Sequence, residues 1–233
     1  MKETVSLVEK KIINHETVHL LGVNADKINE LDDDSKMRRI TDEAQIVNAD
    51  GASVVIASHI LGKPLPERVA GIDLMQELLK LANEKGYSVY FLGAKKSVVE
   101  KMVHVLQLDY RNLNIAGYRD GYFSKKDWKN IGETLMKAKP DIVFVGITSP
   151  IKEYLIDFLM KQNVTGVFMG VGGSFDVLSG NIKRAPILIQ KLNLEWAYRV
   201  MQEPRRLFKR YFFGNAKFTI KIMKEMFNKN GKN

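Results

Sequence analysis

Short apolar runs alternate with amphipathic segments along most of this chain of 233 residues. The runs predict buried strands because they are apolar throughout, and the segments between them repeat apolar side chains with the period of a helix. Strands and helices that alternate in this way are typical of a parallel sheet covered by helices on both faces. We therefore predict an α/β fold with a Rossmann-like, mostly parallel sheet. The predicted strands cover 17–22, 44–48, 87–92, 113–116, 142–146 and 167–171, and the predicted helices cover 72–85, 96–106, 126–139 and 151–162.

Glycine-containing turns follow four of the predicted strands, at 48–51, 91–94, 146–150 and 170–174. The carboxyl ends of parallel strands lie at one edge of a sheet, where α/β proteins usually bind ligands. Glycine lets the backbone turn tightly and lets N–H groups approach a phosphate. The turns therefore predict a phosphate-containing ligand at this edge. Dinucleotide redox chemistry and P-loop chemistry are disfavoured, because no G-x-G-x-x-G opens the first unit and the sequence has no P-loop pattern.

The amino-acid composition excludes cysteine chemistry, and the distribution of Lys and Arg places most of the positive charge near the C-terminal end. The chain has no cysteine, which excludes a disulfide framework and a thiol nucleophile. Its start is too polar for a signal peptide, and a run of ~18 apolar residues occurs nowhere, so we expect neither a secretion signal nor a membrane-spanning helix. From Arg199 to Asn233 there are ten Lys or Arg and two acidic residues, a net charge of +8 out of the chain's +9. This basic tail suits an anionic partner.

Two predicted helices in the tail each carry an apolar face beside basic residues. Helices of this composition are typical of segments that lie in an anionic membrane interface. The alternatives are packing on the domain or on a second subunit, and nucleic-acid binding, which we do not expect because the aromatic side chains cluster on an apolar helical face. We therefore divide the chain into an α/β catalytic domain, 1–194, and a basic, membrane-associating helical appendage, 195–233. The apolar faces comprise Leu207, Phe208, Tyr211 and Phe212 in the first helix and Ala216, Ile220, Met223 and Phe227 in the second.

Seven motifs follow one another along nearly the whole chain. They are Asn-Ala-Asp-Gly at 48–51, Pro-Leu-Pro-Glu-Arg-Val-Ala-Gly-Ile-Asp at 64–73, Gly-Tyr-Phe at 121–123, Gly-Val-Gly-Gly-x-Phe-Asp at 170–176, Arg-Ala-Pro at 184–186, Glu-Trp-x-x-Arg at 195–199 and Glu-Pro-Arg-Arg at 203–206. In this order they resemble the motifs of the WecG/TagA/CpsF glycosyltransferases. The resemblance implies an inverting, metal-independent enzyme that needs no cofactor. It would move an N-acetylmannosamine-type or related hexose from a UDP-sugar to a polyprenyl-diphosphate-linked sugar acceptor, at the cytoplasmic face of the bacterial membrane, in cell-wall or surface polysaccharide synthesis.

Asp50 matches the proposed catalytic aspartate of these enzymes. An inverting transfer needs a carboxylate that removes the proton from the acceptor hydroxyl while the oxygen attacks the anomeric carbon. The alternative is that Asp50 caps the following helix, since Asp is a favoured N-cap residue. We expect the glycine-rich turn to present backbone donors to the diphosphate, Asp176 to bind the ribose or the base, and arginines to meet the charge of the leaving UDP. The expected catalytic residues are Asp50, Arg199 and Arg206, and the expected substrate-binding residues are Asn24, Arg68, Asp73, Gly93, Lys152, Glu153, Gly172, Gly173, Ser174, Asp176, Arg184 and Arg210.

Two positions depart from the family pattern. Many members have Thr-x-Asn where this chain has Gly-Val-Asn at 22–24, and most have Pro-x-Gln-Glu where it has Pro-Ile-Lys-Glu at 150–153. Gly22 offers no side-chain hydrogen bond, and Lys152 replaces a neutral amide by a cation. A hexose that carries an acidic group or lacks the acetamide is therefore an alternative donor. Asn24 and Glu153 stay in register, so we expect an active transferase.

A metal site and a non-catalytic role are the alternatives to this interpretation. The Asp32-Asp33-Asp34 triplet resembles the acidic motif that holds manganese in many sugar transferases, but basic residues follow it, so we predict the acidic first turn of a helix. The four histidines lack ligand spacing.

A nucleotide-sugar or nucleic-acid binding module without turnover is the competing class of function. If the protein forms a homo-oligomer, we expect Leu188, Ile189 and Leu192 to supply its apolar interface.

Overall fold

The computed structural model describes residues 1–230, which form two compact units. The sheet unit consists of Met1–Gly22, Arg39–Asn48 and Val69–Ile182, and the tail unit consists of Val23–Arg38, Ala49–Arg68 and the chain from Lys183 onward. The predicted appendage begins inside the tail unit. Within these residues the structure does not cover the side chains of Lys191, Arg206, Leu207, Lys209, Arg210, Tyr211, Lys229 and Asn230.

One sheet of six strands forms the centre of the sheet unit. Its strand order is β2-β1-β6-β5-β3-β4, and the four pairings from β1 across to β4 are parallel. Every predicted strand is present, and the predicted parallel α/β architecture is confirmed. The strands are β1 Val18–Val23, β2 Ile46–Ala49, β3 Ser88–Gly93, β4 Asn114–Arg119, β5 Ile142–Gly146 and β6 Val167–Gly170.

Separate hydrophobic cores lie on the two faces of the sheet. In β3, Val89 and Phe91 belong to one core and Tyr90 and Leu92 to the other, because successive side chains of a strand alternate between faces. The first core contains side chains of α1, α5 and α6, and the second contains side chains of α7 and α8. The four predicted helices are confirmed as α5 to α8. The helices of the sheet unit are α1 Lys2–Ile13, α5 Gly71–Lys85, α6 Lys96–Asp109, α7 Trp128–Ala138, α8 Ile151–Lys161 and α9 Ser174–Leu178.

A single long helix, α12, replaces the two helices predicted in the tail and runs from Pro204 to Asn230. Gly214 does not end the helix, because this glycine allows a close approach to α2. Its carbonyl accepts a hydrogen bond from Asn29 Nδ2 at 2.8 Å, and a Cβ at this position would collide with Asp26. Phe218, one turn further on, is buried against α2 and α4. The helices with residues in the tail unit are α2 Ala25–Asp33, α3 Ser35–Asp42, α4 Ala52–Ile60, α10 Ile187–Lys191, α11 Glu195–Gln202 and α12 Pro204–Asn230.

The acidic triplet takes a different place from the predicted one. Asp32 and Asp33 end α2, and only Asp34 caps α3, where its side chain accepts a hydrogen bond from the Met37 N–H at 2.9 Å. Lys221 and Lys217 of α12 pair with Asp32 and Asp33 at 2.9 and 2.8 Å. The hydrogen bond from Lys221 lowers the pKa of Asp32. The prediction of an acidic first turn is therefore wrong for two of the three aspartates, which instead end α2 and pair with lysines of α12.

The two faces of α12 have opposite environments. The face that carries Phe218 packs on α2, whereas Ile220, Met223 and Phe227 are at least half exposed on the other side. These three side chains belong to the apolar face predicted from the sequence, and they lie away from the packed face. Among the described residues, no helix is long and apolar enough to cross a membrane.

Candidate active site

The loops at the carboxyl ends of β3 and β5 are held together by glycines. A Cβ at Gly93 would lie 2.5 Å from the carbonyl carbon of Gly146, and a Cβ at Gly146 would lie 2.8 Å from the ring of Phe175. The Ala94 N–H donates to the Gly146 carbonyl at 3.0 Å. Gly93 is therefore required by packing, and this role accounts for it without any contact to a substrate.

The glycine-rich turn after β6 leaves open space in front of its backbone. Cβ atoms built at Gly172 and Gly173 would meet no atom of the described residues within 4 Å. Gly172 has a φ of +51°, which favours glycine, whereas Gly173 has an ordinary φ of −80°. Ser174 turns inward, and its N–H and its hydroxyl both donate to the Val171 carbonyl, at 3.1 and 2.7 Å. We expected Gly172, Gly173 and Ser174 to donate to phosphate. The N–H of Ser174 is already used in a hydrogen bond inside the turn.

Two aspartates expected at the site lie in first turns of helices of the sheet unit. Asp176 belongs to α9 and is half-buried, and its carbonyl accepts hydrogen bonds from the N–H groups of Asn181 and Ile182, both at 3.0 Å. Asp73 is half-buried in the first turn of α5. The Asp176 backbone thus fixes the loop that follows α9.

Lys152 and Glu153, at the start of α8, form a partly buried ion pair. The Glu153 side chain is 1% exposed, and its Oε1 lies 3.4 Å from Lys152 Nζ. Its Oε2 accepts a hydrogen bond from the Ser149 hydroxyl at 3.0 Å. The stem of Lys152 lies against Gly170, where a Cβ would come within 2.7 Å of Lys152 Cε. The cation that departs from the family pattern therefore has its own counter-charge, as a buried carboxylate requires.

In the tail unit, Asn24 and Asp50 follow β1 and β2 and share one hydrogen-bonded turn. The N–H groups of Asp50 and Gly51 both donate to the Val23 carbonyl, at 2.9 and 3.2 Å. The Asn24 side chain caps α2 by accepting a hydrogen bond from the Lys27 N–H at 3.0 Å. Gly51, and not Asp50, takes the N-cap position of α4, so the alternative that Asp50 caps this helix is wrong.

One carboxylate, that of Glu195, holds two of the expected arginines. Its Oε2 lies 2.9 Å from Arg68 Nη2, and its Oε1 lies 3.3 Å from Arg184 Nε. Arg68 also donates through Nε to the Asp50 carbonyl at 2.8 Å. Glu195 is absent from the expected site residues although its motif is part of the resemblance, because its partner Arg68 is distant in sequence and the pairing with Arg184 crosses a turn and another helix. The structure thus brings Asp50, Arg68 and Arg184 together.

The remaining arginines lie further along the tail unit. Arg199 is half-buried on α11, one turn after Glu195. Arg206 and Arg210 belong to α12, but their side chains lie outside the described part of the chain. Their roles stay predictions.

A cluster of metal ligands is not evident in the part of the chain that the structure describes. Within residues 1–230, no group of three or more His, Cys, Asp or Glu side chains is arranged to hold a metal ion. Asp32 and Asp33, the candidates from the sequence, are engaged with lysines. The expectation of a metal-independent reaction stays a prediction, which chelation can test.

A comparison with protein families shows to which family the chain belongs. The sequence model of the glycosyl transferase WecG/TagA/CpsF family matches residues 1–232. The chain belongs to this family. The resemblance predicted from seven motifs is thereby confirmed, and with it the expectation of a glycosyltransferase.

Three similar bacterial proteins carry the same name, N-acetylglucosaminyldiphosphoundecaprenol N-acetyl-beta-D-mannosaminyltransferase. The Bacillus spizizenii protein is 39% identical over 167 residues, which is 72% of this chain and 64% of that protein. The Bacillus subtilis protein is 38% identical over 190 residues, 82% of this chain and 73% of that protein. A Staphylococcus aureus protein is 36% identical over 209 residues, 89% of this chain and 82% of that protein. The match to the Bacillus spizizenii relative therefore spans slightly less than two thirds of its length.

Proposed function

We propose that this protein transfers an N-acetylmannosamine-type hexose, with inversion, from a UDP-sugar to a sugar linked to a polyprenyl diphosphate. The names of the similar bacterial proteins support the hexose and the acceptor. The pathway is the synthesis of teichoic acid or a related surface polysaccharide. The observation that carries the proposal is the fixed Asp50 turn, with two arginines held beside it by Glu195.

Asp50 acts as the general base. Its backbone is fixed at both ends, since its N–H donates to Val23 and its carbonyl accepts from Arg68. The carboxylate takes the proton of the acceptor hydroxyl while the hydroxyl oxygen forms a bond to the anomeric carbon. The bond from that carbon to the UDP oxygen breaks, and the bonding electron pair leaves with UDP. Attack from the side opposite UDP inverts the anomeric centre.

The donor diphosphate binds at Gly172 and Gly173. Open space in front of these residues lets the phosphate oxygens approach the backbone, and Asp176 accepts hydrogen bonds from the ribose or the base. Arg199 and Arg206 balance the charge that grows on UDP, a task that fixed cations can perform in place of a metal. Because Lys152 is already paired with Glu153, we favour a neutral N-acetylated hexose over one with an acidic group.

The exposed face of α12 supports binding to the cytoplasmic surface of an anionic membrane. Ile220, Met223 and Phe227 present apolar area to solvent on one side of a helix whose other side is packed. Lys217 and Lys221 are paired with aspartates of α2, so the attraction to anionic lipid comes from other basic residues of the tail. Peripheral binding of this kind brings the enzyme to an acceptor that stays in the bilayer.

Turnover of defined substrates tests the proposal. The full chain is incubated with UDP-N-acetylmannosamine and a synthetic N-acetylglucosamine diphosphate lipid, with and without EDTA, and UDP and glycolipid are quantified. We expect equal amounts of UDP and disaccharide lipid, an inverted anomeric centre, and the same rate with EDTA. A panel of other UDP-hexoses tests the donor. Binding of UDP without turnover of any donor would contradict the proposal and support a non-catalytic binding module.

A further inference from the structure

An apolar groove of about 310 Å³ lies between α11 and α12 in the tail unit. The stacked rings of Phe208 and Phe212, 5.8 Å apart and inclined by 10°, form part of its lining. Trp196 lines it from α11 and is 45% exposed. A volume of this size falls at the lower end of the range for small-molecule sites. The groove is lined by Trp196, Ala197, Val200, Phe208, Phe212 and Asn215.

Residues next to the groove lining on α11 carry or hold cationic side chains. Glu195, the residue before Trp196, holds Arg68 and Arg184. Arg199 is three residues after Trp196 on the same helix, where side chains are neighbours. Three guanidinium groups and one carboxylate leave a net positive charge, and guanidinium groups are well suited to bind phosphate oxygens. The chemistry of the region therefore fits a ligand with an anionic head and an apolar chain.

The groove is continuous with the exposed apolar face of α12. Phe212 lines the groove and is 60% exposed. Ala216, Ile220 and Met223 follow it at the helical spacing of four, eight and eleven residues, so they lie on the same side of the helix. These apolar side chains thus form a row along α12 that leads from that face to the groove.

We propose that this groove binds the isoprenoid chain of the acceptor, in the part next to its diphosphate. The inference rests on the proposed function and adds a subsite to it. With the chain in the groove, Arg68 and Arg184 bind the acceptor's diphosphate, Arg199 stays available to the leaving UDP, and the acceptor sugar is directed to Asp50, whose carbonyl is bonded to Arg68. A peptide occupant fits less well, because the described lining offers polar groups only at Asn215 and at the indole N–H of Trp196, and most of the peptide's backbone groups would lose their partners.

The preference of the enzyme between two soluble acceptors tests, without a membrane, whether the groove binds the isoprenoid chain. Two water-soluble acceptors are compared, in which N-acetylglucosamine diphosphate carries either a ten-carbon isoprenoid or a methyl group. We expect the parent protein to use the isoprenoid acceptor with a kcat/KM about 10-fold higher, because apolar area leaves water. In Ala197→Phe, which fills the groove, the ratio of the two kcat/KM values should fall to about 1. Trp196→Ala removes part of the lining and should lower the same ratio.

Met201→Ala is the matched control, since Met201 lies on α11 outside the groove and is 80% exposed. Its acceptor ratio should equal that of the parent. An unchanged ratio in both groove variants, or an equal loss in the control, would overturn the inference. Equal use of the two acceptors by the parent would overturn it as well and leave the proposed function intact, whereas failure with both acceptors would count against the proposed function. Sedimentation tests whether a second copy of the chain occupies the groove instead. If the parent is a dimer that Ala197→Phe dissociates, and the ratio of the two kcat/KM values does not change, the groove serves self-association.

Discussion

The glycines at the carboxyl edge of the sheet differ in the space that surrounds them. Gly93 and Gly146 are required because a Cβ would meet backbone or ring atoms of the protein itself. Gly173 has an ordinary φ, and a Cβ there would meet no described atom within 4 Å. Folding therefore gives no reason for glycine at position 173. A ligand that approaches the backbone closely does give one.

Gly173→Ala should lower the affinity for UDP by about 10-fold and leave Tm unchanged, because the new methyl group meets the diphosphate and not the protein. Isothermal titration with UDP and thermal unfolding measure the two effects. Gly132→Ala in α7, where a Cβ makes ordinary contact at 3.4 Å, is the matched change elsewhere in the sheet unit. Equal affinities for the parent and Gly173→Ala would show that UDP binds elsewhere.

Asp50→Asn should reduce kcat by about 10²- to 10⁴-fold with little change in the KM for either substrate, because the amide cannot accept the proton. The backbone bonds of Asp50 do not involve its side chain, so the fold should persist. Asp109→Asn, at the exposed end of α6, is the control with the same change of charge. Initial rates of UDP release measure both proteins. A rate for Asp50→Asn equal to that of the parent would refute the assignment of the base.

At the scale of elements, α12 is attached to α2 by apolar burial and by exposed ion pairs, and the two contribute unequally. Phe218 is 4% exposed, whereas the side chain of Lys217 is 52% exposed. Burial of an aromatic ring stabilises much more than a solvent-exposed pair of charges. The position of α12 is therefore decided mainly by burial of Phe218, and the ion pairs help to orient the helix on α2.

Phe218→Ala should destabilise the docking of α12 by about 3 kcal/mol, because it removes a buried ring. Hydrogen exchange of α12 amides measures the effect, and exchange should become faster along the C-terminal half of the helix. Lys217→Ala should change the exchange rates little, and this small change should disappear in high salt. Faster exchange in Lys217→Ala than in Phe218→Ala would show that the ion pair contributes more to the docking of α12 than burial of Phe218 does.

At the scale of the whole molecule, exposed apolar area is concentrated on the tail. The helix α12 alone exposes at least half of the side chains of Phe208, Phe212, Phe213, Ile220, Met223 and Phe227. An exposed apolar face on a basic helix is costly in water and favourable at a membrane surface.

A double change, Ile220→Ser with Phe227→Ser, should weaken binding to vesicles of anionic phospholipid by about 10-fold or more, since two large apolar groups no longer enter the interface. Vesicle flotation measures the bound fraction. Ile13→Ser with Leu108→Ser, two exposed positions of the sheet unit, is the control and should bind as the parent does. Equal binding by the parent and the α12 variant would remove the membrane from the proposal.

A chain that ends at Leu194 should retain UDP binding and transfer sugar poorly. The shortened chain keeps the complete sheet unit with Gly172 and Gly173, and it loses Glu195, Arg199 and Phe218. UDP titration and the rate of transfer to the lipid acceptor measure the two properties. Full transfer activity in the shortened protein would contradict the roles assigned to the tail.

The sequence alone determined the six strands, the four main helices of the sheet unit and the positions of the strand-end turns. These features follow from the side-chain period and from neighbouring residues, so a local pattern is sufficient to predict them. The family motifs added Asp50 and the arginines. Local patterns did not reveal the role of Glu195, because its pairing with Arg68 joins residues that are distant in sequence.

Only the tertiary structure decided how the tail is used. Two sets of apolar residues in α12, Phe218 with Ile222 and Ile220 with Met223 and Phe227, have helical spacing, and contact with α2 selects the first set for burial. The same contact explains why Gly214 continues the helix instead of ending it, since the glycine admits the side chain of Asp26. Burial and long-range pairing depend on which elements meet in space, and the order of residues along the chain does not specify that.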